Sequence, residues 1–331
     1  MHKATRLVAL GAAAAILAAC SANGVSNLPS ATGDTPAAQV KAPRTAMGSD
    51  GHTIVFFYNK TAELSGLVGD TPSGPATRTP MSVITGAMTY HGGPVQTNPK
   101  IYVVLWGSSS QWGSGDVNGE AAYYEKFISG VGGSQWMSSQ TQYGEPAAPY
   151  MGNAAGSYVG AWSDTVDAVP DLSRSSTYQS RIAAEAQKAA AHFGDYSSNA
   201  SYVILIPHGV KVYNFAGNSH SLYAYCAWHS STSSSGGTIS YTNLPYISDA
   251  GASCGSGSVN SPGTLDGVSI VGGHEQAETQ TDPQPNSGWL DSGNNEDGDK
   301  CAWTNLQNTS FSSGTFPTQP LWSNSANGCV Q

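Results

Sequence analysis

One short segment of the chain gathers its most reactive side chains. His274, Glu275 and Glu278 form the pattern His-Glu-x-x-Glu, and an acidic stretch follows between residues 291 and 299. On an α-helix, residues four apart lie on the same face, so the His274 imidazole and the Glu278 carboxylate would point the same way. This is the arrangement of the helical zinc motif His-Glu-x-x-His, with glutamate in the second ligand position.

We therefore predict a zinc site in this segment. His274 and Glu278 would supply two ligands. A third would come from the acidic stretch, where Glu296 is the first candidate and Asp299 the second. Glu275 would act as the general base, taking a proton from a water molecule activated by zinc before that water attacks a peptide carbonyl.

The acids of this segment also have simpler explanations. The glutamates could face solvent in the N-terminal half of a helix and stabilise its dipole. Asp291, Asn295 and Asp297 alternate as hard oxygen donors and could bind Ca²⁺, although their spacing does not match an EF-hand loop. The same residues could instead form a solvated acidic turn.

Two further histidines could line the site. His208 follows a predicted buried strand, and α/β sheets bind their ligands at the carboxyl ends of strands. It could equally do no more than bond to the backbone at the strand end. His229 lies in the sequence Cys226-Ala-Trp-His, and a disulfide through that cysteine could bring it near the motif.

The order of strands and helices predicts how these residues are positioned. Strands are predicted at 53–58, 100–106, 157–162 and 201–206, and helices at 116–128, 174–193 and 268–281. Segment 210–262, rich in Gly, Ser and Asn, is predicted to be a long loop held by a disulfide. The pattern predicts a single α/β domain with a central mixed or mostly parallel sheet, flanked by helices and carrying long Gly/Ser-rich, disulfide-pinned loops.

The N terminus predicts export. Lys3 and Arg6 precede an apolar run over residues 7–19, which is too short to span a bilayer. Leu17-Ala-Ala-Cys20 resembles a bacterial lipobox, so residues 1–19 are predicted to be a lipoprotein signal peptide and Cys20 the lipidated residue. An ordinary signal peptide and a secreted protein are the alternative. Residues 20–51 would be a flexible tether, and 52–331 the extracellular domain.

Charge restricts the partners of the protein. The formal net charge is −9, and loss of Lys3 and Arg6 with the signal peptide takes it to −11. Nucleic acid is therefore not an expected partner, because phosphate binding needs a basic face. Contact with the membrane would occur through the N-terminal lipid only, at the bacterial cell envelope.

Four cysteines remain in the predicted domain, an even number suited to disulfides in an oxidising compartment. We favour the pairs Cys226–Cys254 and Cys301–Cys329, because each closes a local loop of Gly/Ser-rich chain. A zinc site made of the four thiolates is the alternative, but the spacing is not of the Cys-x-x-Cys type.

Several of these blocks resemble the plant phosphate-induced/Exordium family and its bacterial relatives. They are Tyr90-His-Gly-Gly-Pro-Val95, Ile101-Tyr-Val-Val-Leu-Trp-Gly107, Cys226-Ala-Trp-His229, Gly273-His-Glu-Gln-Ala-Glu278 and Glu296-Asp-Gly-Asp-Lys-Cys301. Gly273 stands where the family has Ser, and Asp297 where it has Ile. The resemblance implies an extracellular, cell-wall-associated protein and supports the fold unit and the site, but it leaves catalysis open.

These observations lead to two functional hypotheses. The first is an exported, lipid-anchored zinc hydrolase resembling a metallopeptidase, with a peptide or protein as substrate. The second is a non-catalytic surface or wall-associated module in which the same residues bind a structural metal or no metal. An open coordination position facing a groove would favour the hydrolase, and a closed one the module.

Overall fold

The computed structural model describes residues 44–65, 68, 86–146 and 149–331. The predicted signal peptide, the predicted lipidation site at Cys20 and the predicted tether as far as residue 43 lie outside these ranges. The end of the predicted tether is folded, because Arg44 is buried and Thr45–Met47 form a strand. In the described part of the chain, no helix is both long and apolar enough to cross a membrane.

The elements are named in chain order. The strands are β1 (Thr45–Met47), β2 (Thr53–Tyr58), β3 (Thr89–Tyr90), β4 (Lys100–Trp106), β5 (Tyr158–Asp164), β6 (Ala200–Leu205), β7 (Tyr225–Ser234), β8 (Gly237–Leu244), β9 (Trp289–Leu290), β10 (Gln307–Phe311), β11 (Gly314–Thr318), β12 (Leu321–Ser323) and β13 (Gly328–Val330). The helices are α1 (Lys60–Leu64), α2 (Ser109–Trp112), α3 (Glu120–Ile128), α4 (Gln135–Ser138), α5 (Tyr178–Phe193) and α6 (Asp266–Thr281), with 3₁₀ turns at Ser139–Gln142, Ile247–Cys254 and Asp299–Cys301.

A mixed sheet of seven strands organises the fold. Its order is β1-β2-β7-β8-β6-β4-β5. Strands β8, β6, β4 and β5 run parallel to one another. The pairs β1–β2, β2–β7 and β7–β8 are antiparallel. Helices α5 and α6 both pack against β7 and β8. The predicted α/β architecture with a mixed sheet is confirmed.

The strands predicted from apolar runs are also confirmed. β2 and β4 have the predicted bounds, and β6 begins and ends one residue earlier than predicted. Helix α3 begins at Glu120 rather than at Asp116, because the Asp116 carboxylate caps its first turn. That carboxylate accepts hydrogen bonds from the backbone N–H of Glu120 at 2.8 Å and of Ala121 at 3.2 Å.

The prediction of a loop across residues 210–262 is wrong. β7 and β8 lie within that range and occupy the middle of the sheet. Trp228 contacts Tyr178 of α5, whereas the neighbouring His229 bonds to Glu275 of α6, so both faces of β7 are covered. A strand covered on both faces needs no polar alternation, and small Ser and Thr side chains here replace the apolar run that marks a buried strand.

Both predicted disulfides are confirmed. Cys226–Cys254 joins β7 to the 3₁₀ turn before α6, with 5.6 Å between the Cα atoms. Cys301–Cys329 joins the turn after Asp299 to β13, with 5.8 Å between the Cα atoms. The four thiolates are therefore not available as zinc ligands. Such bonds indicate an oxidising compartment, in agreement with export.

Helix α6, which carries the His-Glu-x-x-Glu motif, is buried along its whole length. It packs between the sheet on one side and α3 and β11 on the other. Gly272 and Gly273 permit this approach: an added Cβ would lie 2.4 Å from the Tyr124 ring at the first position and 3.2 Å from the Trp136 ring at the second. The alternative of a solvent-exposed acidic helix face is therefore wrong.

Candidate metal centre

The functional side chains of α6 face the sheet. Consecutive turns of the helix bring His274 and Glu278 to one side, with Glu275 beside them. The His274 ring stacks on Phe57 of β2, with 3.7 Å between the ring centroids. The Trp303 ring also stacks on Phe57, with 4.8 Å between the ring centroids. These aromatic rings hold the imidazole in place and keep water away from it.

The first group of donor atoms consists of His274, Glu278 and Asp299. His274 Nε2 lies 3.0 Å from Glu278 Oε1 and 3.6 Å from Asp299 Oδ1. The backbone N–H of Asp299 donates a hydrogen bond of 2.9 Å to the same Glu278 oxygen, which fixes the 3₁₀ turn against α6. The three residues offer donor atoms close enough to share one ion.

The turn reaches this position because of a glycine. A Cβ added to Gly298 would lie 2.8 Å from His274 Nδ1 and 2.9 Å from Glu278 Oε1. Its backbone has an ordinary helical conformation, so space rather than dihedral freedom requires a glycine here.

The second group consists of His229, Glu275 and Glu278. His229 Nδ1 lies 3.0 Å from Glu275 Oε2 and 3.6 Å from Glu278 Oε2. On the other side of the ring, His229 Nε2 lies 3.6 Å from Glu296 Oε1. Burial by itself would lower the pKa of His229, but the hydrogen bond to Glu275 and the surrounding carboxylates raise it above its ordinary value.

Many donor atoms of these residues have no hydrogen-bond partner within the described ranges. They include both ring nitrogens of His274, Nε2 of His229, Oε1 of Glu275, Oε2 of Glu278 and both carboxylate oxygens of Glu296. The side chains expose between 0 and 2 % of their surface. A buried polar group left unpaired costs about 1–3 kcal/mol, and more when it is charged. A cation bound between these atoms would satisfy them.

The distances fit such a cation. Two ligands that each lie about 2.1 Å from a tetrahedral zinc ion are about 3.4 Å apart. The distances of 3.0 and 3.6 Å around His274 Nε2 bracket this value. The distances around His229 Nδ1 are the same pair of values. Each group can therefore accept a cation with small side-chain movements.

The protein supplies little positive charge to this cluster. The Arg44 guanidinium pairs with Glu63 and with Asp299, each at 2.7 Å, and a second nitrogen of Arg44 lies 3.0 Å from Glu63. Lys300 is paired with Asp291 at 3.0 Å and lies over the Trp322 ring. One guanidinium therefore faces several buried carboxylates.

The pKa values reflect this shortage. Burial raises the pKa of Glu275 to about 8 and that of Glu278 to about 7, and it lowers the pKa of His274 to about 4. Burial also raises the pKa of Glu296 and of Asp299 well above their ordinary values. Each shift disfavours the charged form of its group. A bound cation would reverse the carboxyl shifts and displace the protons.

The structure thus brings together most of the residues singled out from sequence. His274, Glu278 and Asp299 converge, and His229 faces the same helix. Glu296 lies at the far side of the His229 ring rather than in either donor group.

The remaining candidates have other contacts. His208 is half-exposed and bonds to Asp249, outside the cluster. Asp291 accepts hydrogen bonds from Gly293 and Asn295 and pairs with Lys300. Asp297 accepts a hydrogen bond of 3.1 Å from Thr281. Asp291 and Asn295, two of the three residues predicted as calcium ligands, thus hydrogen-bond to each other.

Two contributors are not recognised from sequence. Arg44 lies far from the motif in the chain and in a segment with the composition of a tether. Gly298 has only the pattern Asp-Gly-Asp as a signal, which is consistent with a tight turn but does not indicate the close approach of His274.

The chain also contains a sequence pattern found in serine hydrolases. Gly251-Ala-Ser253-Cys-Gly255 matches the Gly-x-Ser-x-Gly sequence of serine hydrolases. Here Ser253 lies in a 3₁₀ turn, and its neighbour Cys254 is disulfide-bonded. The strand-to-helix turn that presents a nucleophilic serine does not occur at this position.

Comparison with protein-family models, with curated proteins and with solved structures found no match for this chain. The functional interpretation therefore depends on the geometry of the buried cluster.

Proposed function

We propose that this chain is an exported metalloprotein whose cation is held by His274, Glu278 and Asp299. The observation that supports this most directly is the approach of one imidazole nitrogen and two carboxylate oxygens, 3.0 and 3.6 Å from that nitrogen, in a fully buried position. One nitrogen and two oxygen donors match the ligand preferences of zinc among the common divalent metals.

The enclosure of the donors favours a structural role for the metal. None of the three side chains exposes more than 2 % of its surface, and a peptide carbonyl must come within bonding distance of a catalytic metal. A cation here would join α6 to the turn at Asp299–Cys301, next to the Cys301–Cys329 disulfide. The function that this site supports best is that of a surface or wall-associated module stabilised by a metal.

Metal content tests this proposal. The purified protein is expected to contain at least one equivalent of zinc per chain by elemental analysis, and Glu278→Ala is expected to lose it. The matched control is Glu125→Ala, because the half-buried Glu125 of α3 accepts a hydrogen bond from Tyr158 and belongs to neither donor group. A metal-free wild-type protein after growth with zinc, or an unchanged zinc content in Glu278→Ala, would contradict the proposal.

A zinc peptidase is the second candidate, and it has one observation in its favour. Glu275 follows the ligand His274 directly, as the general base does in His-Glu-x-x-His enzymes, and its Oε1 has no hydrogen-bond partner in the described structure. A zinc ion held there would supply Lewis-acid activation of the scissile carbonyl, and Glu275 would take the proton of the attacking water. The groups that bury the site, including Arg44 beside Asp299, would have to move for a substrate to enter.

Peptide cleavage distinguishes the two candidates. If the protein is a peptidase, casein or a peptide mixture is cleaved by the wild type, and Glu275→Gln lowers the rate by about 100-fold or more, the usual contribution of a general base. Zinc at His274 should remain in that variant, and Glu125→Gln should retain full activity. Cleavage that persists unchanged in Glu275→Gln, or no cleavage by the zinc-loaded wild type, excludes this candidate.

The setting of the site is part of the proposal. The lipobox-like ending at Cys20 supports anchoring of the protein to the bacterial envelope by a lipid. Membership of the phosphate-induced/Exordium group is proposed on the five sequence blocks, and the histidines and acids of the cluster fall within three of them. A wall-associated protein agrees with that resemblance, which leaves catalysis open.

A further inference from the structure

We propose that the buried cluster holds two cations, bridged by the carboxylate of Glu278. This inference rests on the proposed metal-binding function and extends it. The first cation is the one assigned to His274, Glu278 and Asp299. The second would be held by His229, Glu275 and the other oxygen of Glu278.

The orientation of Glu278 is the central observation. Its Oε1 lies 3.0 Å from His274 Nε2, whereas its Oε2 lies 3.6 Å from His229 Nδ1. The two oxygens of one carboxylate thus face two different imidazoles. The Oε2 atom is buried and has no hydrogen-bond partner within the described residues. A carboxylate in this position can ligate one ion through each oxygen.

The second donor group repeats the first. In each group an imidazole nitrogen has one carboxylate oxygen at 3.0 Å and another at 3.6 Å. The groups come from different parts of the fold: β7 and α6 supply the second, and α6 and the 3₁₀ turn supply the first. Of the atoms that would bind the second cation, Glu278 Oε2 is buried and has no hydrogen-bond partner among the described residues. His229 Nδ1 and Glu275 Oε2 form a hydrogen bond of 3.0 Å with each other, and the other Glu275 oxygen, Oε1, is buried without a partner.

Glu296 has a supporting position in this arrangement. A histidine that binds a metal through one nitrogen usually directs the other N–H towards a carboxylate, which fixes the ring orientation. Glu296 Oε1 lies on the Nε2 side of His229, at 3.6 Å. We assign Glu296 as a positioning residue for His229 rather than as a ligand.

Charge balance requires more than one cation if the acids are ionised. The carboxylates gathered around the two imidazoles and Arg44 are Glu63, Glu275, Glu278, Asp282, Glu296, Asp297 and Asp299. Against these seven negative charges the cluster has one guanidinium, because Lys300 is paired with Asp291. One divalent cation would leave four charges uncompensated, and two would leave two. Buried charges without compensation are strongly unfavourable.

The assignment also decides the role of Glu275. A carboxylate bound to the second cation is not free to act as a general base. Two bound cations therefore argue against the peptidase candidate in its His-Glu-x-x-His form, and a single cation leaves Glu275 available for it.

The test is the stoichiometry of zinc binding by the intact protein. Metal-stripped wild-type protein is titrated with Zn²⁺ and, in parallel, dialysed against Zn²⁺ and analysed for metal. Two equivalents are expected for the wild type and one for His229→Ala. The matched control His208→Ala, at a half-exposed histidine outside the cluster, should retain two.

The outcomes separate this inference from the proposed function. One equivalent in both the wild type and His229→Ala overturns the two-cation site but leaves the His274 site intact. No zinc in the wild type overturns both. Two equivalents that survive in His229→Ala place the second ion elsewhere and also overturn the inference.

A measurement on the wild type alone covers the case in which His229→Ala does not fold. The protein loaded with two equivalents of Mn²⁺ is examined by electron paramagnetic resonance. Two ions bridged by one carboxylate are expected to give an exchange-coupled spectrum. The six-line spectrum of isolated Mn²⁺ ions, at full loading, would contradict a bridged pair.

Discussion

Removal of the metal is expected to lower the melting temperature of the protein by about 10 °C. A cation present at about 1,000 times its dissociation constant stabilises the folded state by about 4 kcal/mol. In a domain of this size, each kcal/mol changes the melting temperature by about 2–4 °C. The physical reason is that chelation leaves the buried carboxylates of Glu278 and Asp299 beside one guanidinium, that of Arg44, which is already paired with Glu63.

The effect of removing the metal should increase with pH. In the metal-free protein, burial raises the pKa of Glu275 to about 8 and of Glu278 to about 7, from an ordinary value of 4.5. Above pH 4.5 the folded state therefore holds protons that the unfolded state has released, and its stability decreases as the pH rises towards 8. The lowered pKa of His274 acts in the opposite direction, but only below about pH 6.5.

Differential scanning calorimetry at pH 7 and pH 8, with and without chelator, checks this prediction. The difference in melting temperature between the two forms should be larger at pH 8. Glu278→Ala provides the control, because its melting temperature should not respond to the chelator. A wild-type melting temperature that is insensitive to chelator at both pH values would show that no stabilising metal is bound.

Replacement of Arg44 by Met is expected to lower the free energy of unfolding of the metal-free protein by about 3–5 kcal/mol. That is the usual cost of removing one partner from a buried ion pair, because the other charge remains in the interior. Arg44 exposes 2 % of its surface and contacts Glu63 through two nitrogens. It also contacts Asp299, a proposed metal ligand, at 2.7 Å.

Urea denaturation in the presence of chelator measures this change without a contribution from metal. Arg174→Met is the matched control, because Arg174 pairs with Asp171 on the surface, where ion pairs contribute little. The double variant Arg44→Met, Glu63→Met should recover part of the loss, since it removes a buried charge as well as its partner. An equal effect of Arg44→Met and Arg174→Met would show that Arg44 does not compensate the acidic cluster.

The sequence alone determined the local parts of this protein. The four-residue spacing of His274 and Glu278 places them on one face wherever a helix forms, and Asp282-Pro283 ends that helix. Apolar runs identified β2 and β4 with their bounds, because a strand buried on both faces consists of little else. The disulfides followed from proximity along the chain, since each closes a short loop.

Only the tertiary structure decided which distant groups meet the helix. The sequence ranks Glu296 before Asp299, but the 3₁₀ turn and the space at Gly298 bring Asp299 to His274 and turn Glu296 towards His229. His229 itself lies on a strand whose Ser- and Thr-rich composition suggests a loop.

The burial of the cluster and the pairing of Arg44 with Asp299 were likewise decided by tertiary structure. Both depend on contacts between segments that are far apart in the chain, and no periodicity within one segment records them. The spacing of residues along a helix determines which side chains share a face. The packing of the sheet, α3 and the C-terminal turns determines what that face meets and whether water reaches it.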